Sequence, residues 1–287
     1  MDSVLSKLFT WNADEAYDAI LSEYHRKSYA IVNYLYFANI TGKQVFEKYH
    51  QAVEEADFQD AVREDYKIMS PKTIGAAYKK ALLDSDFLLP DGIALQIYYR
   101  LAAKLKKIST KTPRLFNLNG TDFGLGILKN MQERFGAEQI QLVLYGTYPG
   151  ILEKTKEVLA DKWFDILYAQ DGYTNFDREQ LETLLETNRK KYTVLLVART
   201  TPEYPIQELR AWSNKDSIRK NKLLVLNQWG TFDFRAGVQK RAPRLRRKFK
   251  VERLWRWISD PKRNTKKIRD SLKIINYIFR YLLLKNK

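Results

Sequence analysis

Cysteine is absent and histidine nearly so, with only His25 and His50 among 287 residues. The first absence removes a disulfide framework, a thiol nucleophile and a thiolate-bound metal. The second makes a histidine-built zinc site a poor reading. No G-x-G-x-x-G and no Walker A sequence occurs, so neither dinucleotide redox chemistry nor P-loop hydrolysis is suggested. No apolar run approaches the roughly 20 residues of a spanning helix. The longest, 274–284, is interrupted by Asn276 and Arg280. The first ten residues lack a basic start followed by an apolar run, and the expectation is a chain made and kept in the cytosol.

What is present is ample apolar material: 45% hydrophobic and 13% aromatic residues suffice for one large domain with an appendage. The formal charge of +16 is distributed unevenly. From position 235 onward stand 19 of the 50 Lys+Arg and only 3 of the 34 acids, which leaves 31 of each sign in residues 1–234. A neutral body therefore precedes a basic appendage over 235–287, the pattern of a globular domain with an electrostatic docking device.

Within the body, short runs rich in aliphatic residues recur at 87–89, 114–118, 141–145, 164–168, 193–197 and 223–226. Segments of helical spacing lie between them, at 93–107, 123–135, 149–159, 177–189 and 205–212. This alternation predicts repeated βαβ units and a mostly parallel sheet. Residues 1–66 read as more helical, at 13–24 and 42–55, and carry no chemical signal. Gly92, Gly120, Gly146, Gly172 and Gly230 each follow an apolar run. Singly, such a glycine need only make a tight turn. Five in register favour a nucleotide-type ligand at the carboxyl edge of the sheet, where backbone can approach phosphate.

Three groups of acids stand near these turns. Asp84-Ser85-Asp86 has the look of a metal-binding D-x-D, against the plainer reading of capping or solvent-facing acids. Leu89-Pro90-Asp91-Gly92 ends a strand and opens a helix, and a lone carboxylate there can act as general base or cap the helix near Ile93. Asn119-Gly120-Thr121-Asp122 has the same placement, able to bond a sugar or ribose, with helix capping again the competitor.

Read in order, these turns are joined by Leu144-Tyr145-Gly146 with Pro149-Gly150, Asp171-Gly172-Tyr173 and Pro205-Ile206-Gln207-Glu208. Gly230-Thr231-Phe232-Asp233-Phe234-Arg235-Ala236-Gly237 and Lys240-Arg241-Ala242-Pro243 follow, then Glu252, Arg256, Pro261 and Arg263. Over roughly 66–265 the set resembles the WecG/TagA/CpsF glycosyltransferase family. That resemblance implies a Rossmann-like α/β transferase, inverting and without a bound metal or cofactor. It would move a hexose-type residue, commonly N-acetylmannosamine or a relative, from a UDP-sugar to a polyprenyl-diphosphate-linked saccharide. The family's proposed base falls on Asp91, and Ser70 carries the hydroxyl of its T-P-N turn. Gly92, Gly120, Thr121, Asp122, Gly146, Tyr173, Gln207, Glu208 and Asp233 fall on substrate-binding positions. Arg241, Arg256 and Arg263 would bind phosphate. The chain departs from the family at Ser70-Pro71-Lys72, at 198–204 and at Arg253, and the first two departures bear on the donor.

The appendage has its own pattern. Leu245, Phe249 and Trp255 form a stripe amid Arg246, Arg247, Lys248, Lys250 and Arg253, and 270–284 is more apolar. An anionic membrane surface, a nucleic acid or simple packing on the body with solvated charges would each suit it. With the resemblance, the expectation is a peripheral protein at the inner face of the plasma membrane. Its partners would be a UDP-sugar, a lipid-linked saccharide, the membrane and other polysaccharide-assembly enzymes, with no nucleic acid. Two alternatives remain: a hexosyl or uronosyl transferase of exopolysaccharide synthesis with another donor, and a non-catalytic nucleic-acid-binding protein using the basic tail.

Overall fold

The computed structural model describes residues 2–36, 80–110, 112, 114–162, 164–174, 176–187, 192–199, 222–228 and 230–238. Elements in chain order are α1 (Asp2–Ser6), α2 (Ala13–Lys27), β1 (Tyr29–Tyr36), β2 (Phe87–Asp91), α3 (Ile93–Lys104) and α4 (Gly120–Phe135). There follow a 3₁₀ turn (Ala137–Gln139), β3 (Ile140–Gly146), α5 (Pro149–Ala160), β4 (Asp165–Gln170), α6 (Arg178–Thr187), β5 (Tyr192–Ala198), β6 (Leu223–Asn227) and α7 (Thr231–Arg235).

The six strands form one sheet in the order β2-β1-β6-β5-β3-β4, and every pairing is parallel. Every carboxyl end therefore lies along one edge. The inner strands are apolar on both faces, as a covered parallel sheet requires. Alternate residues serve opposite layers. Ala30, Val32 and Tyr34 of β1 pack with α2, α4 and α5 residues such as Ile20, Ile127 and Leu152. Leu35 of the same strand packs instead with α1 and α3 through Leu5, Leu95 and Tyr99. Tyr29 and Ile31 join Leu181 and Leu185 of α6.

The sequence pattern and the structure agree on an open α/β sheet and differ at two places. Segment 114–118 is extended but is not a strand. Leu118 N–H bonds to Pro90 O at 2.9 Å, and Pro90 has no N–H with which to extend a ladder. The more helical reading of 1–66 holds for α2 but passes over β1. This strand follows α2 after the single residue Ser28, in the left-handed region at φ 60°. Predicted helices at 42–55 and 205–212, and the basic appendage beyond residue 238, lie outside the described residues. Among the described residues, no helix is long and apolar enough to cross a membrane.

Candidate functional site

Asp91 is the last residue of β2, an edge strand, and Gly92 turns the chain into α3 with φ +91°, a conformation L side chains rarely adopt. Gly92 is the N-cap of α3, and among the described residues no side chain caps that helix. The Asp91 carboxylate reaches a different helix: Gly120 N–H, the first of α4, donates to Asp91 Oδ2 at 3.1 Å. A negative group suits the N-terminus of this 16-residue helix, where N–H groups lack intrahelical partners. Gly92 N–H in turn donates to Asn117 Oδ1 at 2.7 Å. Segment 114–119 and the first residue of α4 thus together hold the end of β2.

The Asn119 turn performs the capping that competed with a binding role. Asn119 Oδ1 accepts from Asp122 N–H at 3.0 Å, and Asn119 Nδ2 donates to Asp122 Oδ2 at 3.1 Å. Thr121, half-buried, lies between them. The Asp84-Ser85-Asp86 group sits at the start of β2, at the far edge of the sheet from Asp91. Asp86 Oδ2 accepts Ile31 N–H at 2.9 Å and Asp84 pairs with Lys80 at 3.5 Å. Those contacts hold β2 to β1 and the preceding helical turn.

Behind Asp91 lies a polar cluster that local sequence patterns do not announce. The Tyr34 ring, near the end of β1, covers Gly120, and an added Cβ would meet it at 3.6 Å, in ordinary van der Waals contact. Gln228, just past β6, lies against Gly124 of α4, and an added Cβ there would collide with its amide. Arg235 of α7 is only 8% exposed, and its Nη2 makes a long contact of 3.4 Å to Gln228 Oε1. Among the described residues, Tyr34 Oη, Gln228 Nε2, Thr231 Oγ1 and Arg235 Nε and Nη1 are buried without a hydrogen bond of good geometry, although the Gln228 amide lies beside the Tyr34 hydroxyl. Burial, reinforced by the Asp91 charge, holds the Tyr34 hydroxyl well above the usual tyrosine range. Burial lowers the Arg235 guanidinium from the usual arginine range to about 10. On the other face of the sheet, Asn227 Nδ2 donates to Asn33 Oδ1. The signal for the cluster was polar residues directly after an apolar strand, Asn227-Gln228, and an arginine inside an otherwise aromatic turn, Arg235.

Farther along the same edge, three turns are tied by backbone. Thr147 N–H bonds to Ala198 O at 3.1 Å, and Gly172 N–H to Thr147 O at 2.9 Å. Gly146 has φ +121°, and a Cβ there would lie 2.3 Å from Ala198 O. The Arg199 guanidinium stands 4.9 Å over the Tyr145 ring. Tyr148 and Tyr173, both more than 60% exposed, pair at 4.9 Å between centroids. Asp233, half-buried in the first turn of α7, follows β6 in the centre of the sheet.

Asp91, Gly92, Gly120, Thr121 and Asp122 are therefore brought to one end of the carboxyl edge, and Gly146 and Tyr173 lie farther along it. Ser70, Gln207, Glu208, Arg241, Arg256 and Arg263 lie outside the described residues. A wholly parallel sheet with acids and glycine turns gathered at this edge defines a Rossmann-like α/β protein whose polar groups stand where such sheets take ligands. Residues 30–287 match the glycosyl transferase WecG/TagA/CpsF family, and the chain belongs to that family. Membership makes it a glycosyltransferase of cell-surface polysaccharide synthesis. The match begins inside β1 and takes in the basic appendage, while α1 and α2 precede it.

Proposed function

We propose that this chain transfers a hexose-type sugar from a UDP-sugar to a saccharide carried on a polyprenyl diphosphate, with inversion at the anomeric carbon. The acceptor hydroxyl attacks that carbon, its proton passes to Asp91, and the bond to the departing nucleoside diphosphate breaks. The observation that carries the reading is the carboxylate of Asp91 at the end of β2, held through one oxygen by Gly120 N–H. A general base needs a fixed position within reach of the attacking hydroxyl. In this reading Ser70, Gly92, Thr121 and Asp122 position sugar, and Gly146, Tyr173, Gln207, Glu208 and Asp233 serve the remainder of the donor. Charge on the leaving diphosphate is met by Arg241, Arg256 and Arg263, as arginine meets phosphate elsewhere. Mostly apolar and basic residues beyond position 264 attach the enzyme to the inner membrane surface.

The test is a panel of UDP-hexoses, UDP-N-acetylhexosamines and UDP-hexuronic acids against a lipid-diphosphate monosaccharide, scored in excess EDTA for acceptor-dependent nucleoside diphosphate release. One donor class should give release. Release from none of them, or only after Mn²⁺ or Mg²⁺ is restored, overturns the reading.

A further inference from the structure

Between Asp91 and Asp122 the chain runs 30 residues without an acid, while Arg100, Lys104, Lys106, Lys107, Lys111 and Arg114 fall in that interval. Most of it is α3 and the turn that follows. Facing the body, α3 buries Leu95, Tyr98, Tyr99 and Ala102. At 100° per residue the opposite face carries Ile93 and Ile97, with Arg100 and Lys104 interleaved, while Leu101 at its margin packs against the body. Ile97 is 49% exposed, Leu105 just past the helix is 40% exposed, and Arg100, Lys104 and Lys106 are exposed. Scattered exposed apolar residues are ordinary on a globular surface. Here Ile97 and Leu105 stand among exposed Arg100, Lys104 and Lys106, and every charged residue of α3 and the turn after it is positive. An ordinary solvated face carries both signs.

We infer that this outward face of α3 rests on an anionic lipid surface. Its apolar side chains enter the headgroup boundary, and its Arg and Lys side chains meet lipid phosphates. Charge complementarity selects the occupant, because a run without a single carboxylate suits a uniformly negative, extended surface. The contact is separate from the basic appendage. It begins one residue after Asp91, so it sets the carboxyl end of β2 at the bilayer face. The lipid contact itself does not depend on the reaction proposed above.

The chain has no cysteine, so a single Ile97→Cys substitution in the full chain takes one environment-sensitive fluorophore. With phosphatidylglycerol-containing vesicles its emission should shift to the blue and be quenched by lipid-borne quenchers. With phosphatidylcholine alone it should not. A label at Lys129→Cys, an exposed position of α4 across the sheet, should remain solvent-like. Lys104→Cys provides a second label on the same face. The double variant R100Q/K104Q should partition onto the anionic vesicles roughly tenfold or more weakly, with turnover on a water-soluble acceptor unchanged. A vesicle-bound protein whose labels at 97 and 104 stay solvent-like overturns the inference, as does a failure to bind vesicles at all. A shift that grows with protein concentration without lipid assigns the face to a second copy, and one produced by an oligonucleotide assigns it to nucleic acid. Either also overturns it.

Discussion

An asparagine at position 91 would still offer Gly120 N–H an oxygen while removing the negative charge, so the anchoring of β2 to α4 and the proton-accepting role can be separated. Asp91→Asn should lower turnover by about 10²–10⁴-fold, the usual cost of lost acid–base catalysis, with donor affinity and Tm near wild type. Turnover within threefold of wild type would leave Asp91 an anchor only. Arg235 makes the converse prediction. Among the described residues no carboxylate pairs with this buried cation, and its folded pKa, about 10, lies below the ordinary arginine range. Below about pH 10 both folded and unfolded chains carry the charge, and the cost of burying it is full and constant. Above about pH 10 the folded chain releases its proton before the unfolded one, so the stability contributed at this position rises with pH. Arg235→Met should therefore stabilise at pH 7 by about 1–3 kcal/mol. At this size that is roughly 2–10 °C in Tm, and the advantage should shrink above pH 10 in melts followed by circular dichroism. The residues of this site were unequally legible. Asp91, Gly92 and the Asn119–Asp122 turn stand out as glycine and acid directly after apolar runs. Tyr34, Gln228 and Arg235 do not, because only the adjacency of β1 and β6 brings them together, and no local pattern states strand order.

Strands show the same division. The run Thr193-Val194-Leu195-Leu196-Val197 could hardly be anything but a buried parallel strand, and β5 is one. The β1 sequence, Tyr-Ala-Ile-Val-Asn-Tyr-Leu-Tyr, is equally buried but lies directly against α2, with no loop to mark the change of period. Segment 114–118 has a strand's composition and lacks a strand's partner, since Pro90 stands opposite. Composition records burial, whereas strand identity also requires a neighbour with free hydrogen-bonding groups. Turns follow the rule more closely. At the β3–α5 turn, Gly146 combines φ +121° with a neighbouring carbonyl 2.3 Å from any added Cβ, and that carbonyl belongs to the backbone of Ala198. Gly146→Ala should cost about 2–5 kcal/mol through strain and overpacking. Because the Thr147 and Gly172 backbone bonds share this corner, hydrogen exchange should rise at both amides. A Tm within 1 °C of wild type would show that the corner relaxes freely.

At the scale of the molecule, a body with 31 charges of each sign carries a tail with 19 basic and 3 acidic residues. Beyond Arg263 stand seven of those basic residues: Lys266, Lys267, Arg269, Lys273, Arg280, Lys285 and Lys287. At about 1 kcal/mol for each near an anionic surface, removing 264–287 should weaken liposome binding at least about a hundredfold. Turnover on a short, soluble acceptor should survive. Arg256→Ala and Arg263→Ala should do the reverse, keeping sedimentation with liposomes and losing turnover. If truncation and substitution remove the same property, the tail is one unit. The order of strands has a consequence of another kind, for synthesis. Tyr29 of β1 pairs with Leu223 of β6, 194 positions later in the chain. The same β6 residue also pairs with Thr193 of β5. On a ribosome adding about 5–20 residues per second, β1 therefore waits about 10–40 s for its inner neighbour. Until then the nascent chain can build two partial sheets, β2-β1 and β5-β3-β4, each ending in an apolar edge with unpaired amides open to wrong partners. The strand that joins them is the last of the six to emerge, and it must enter from the middle.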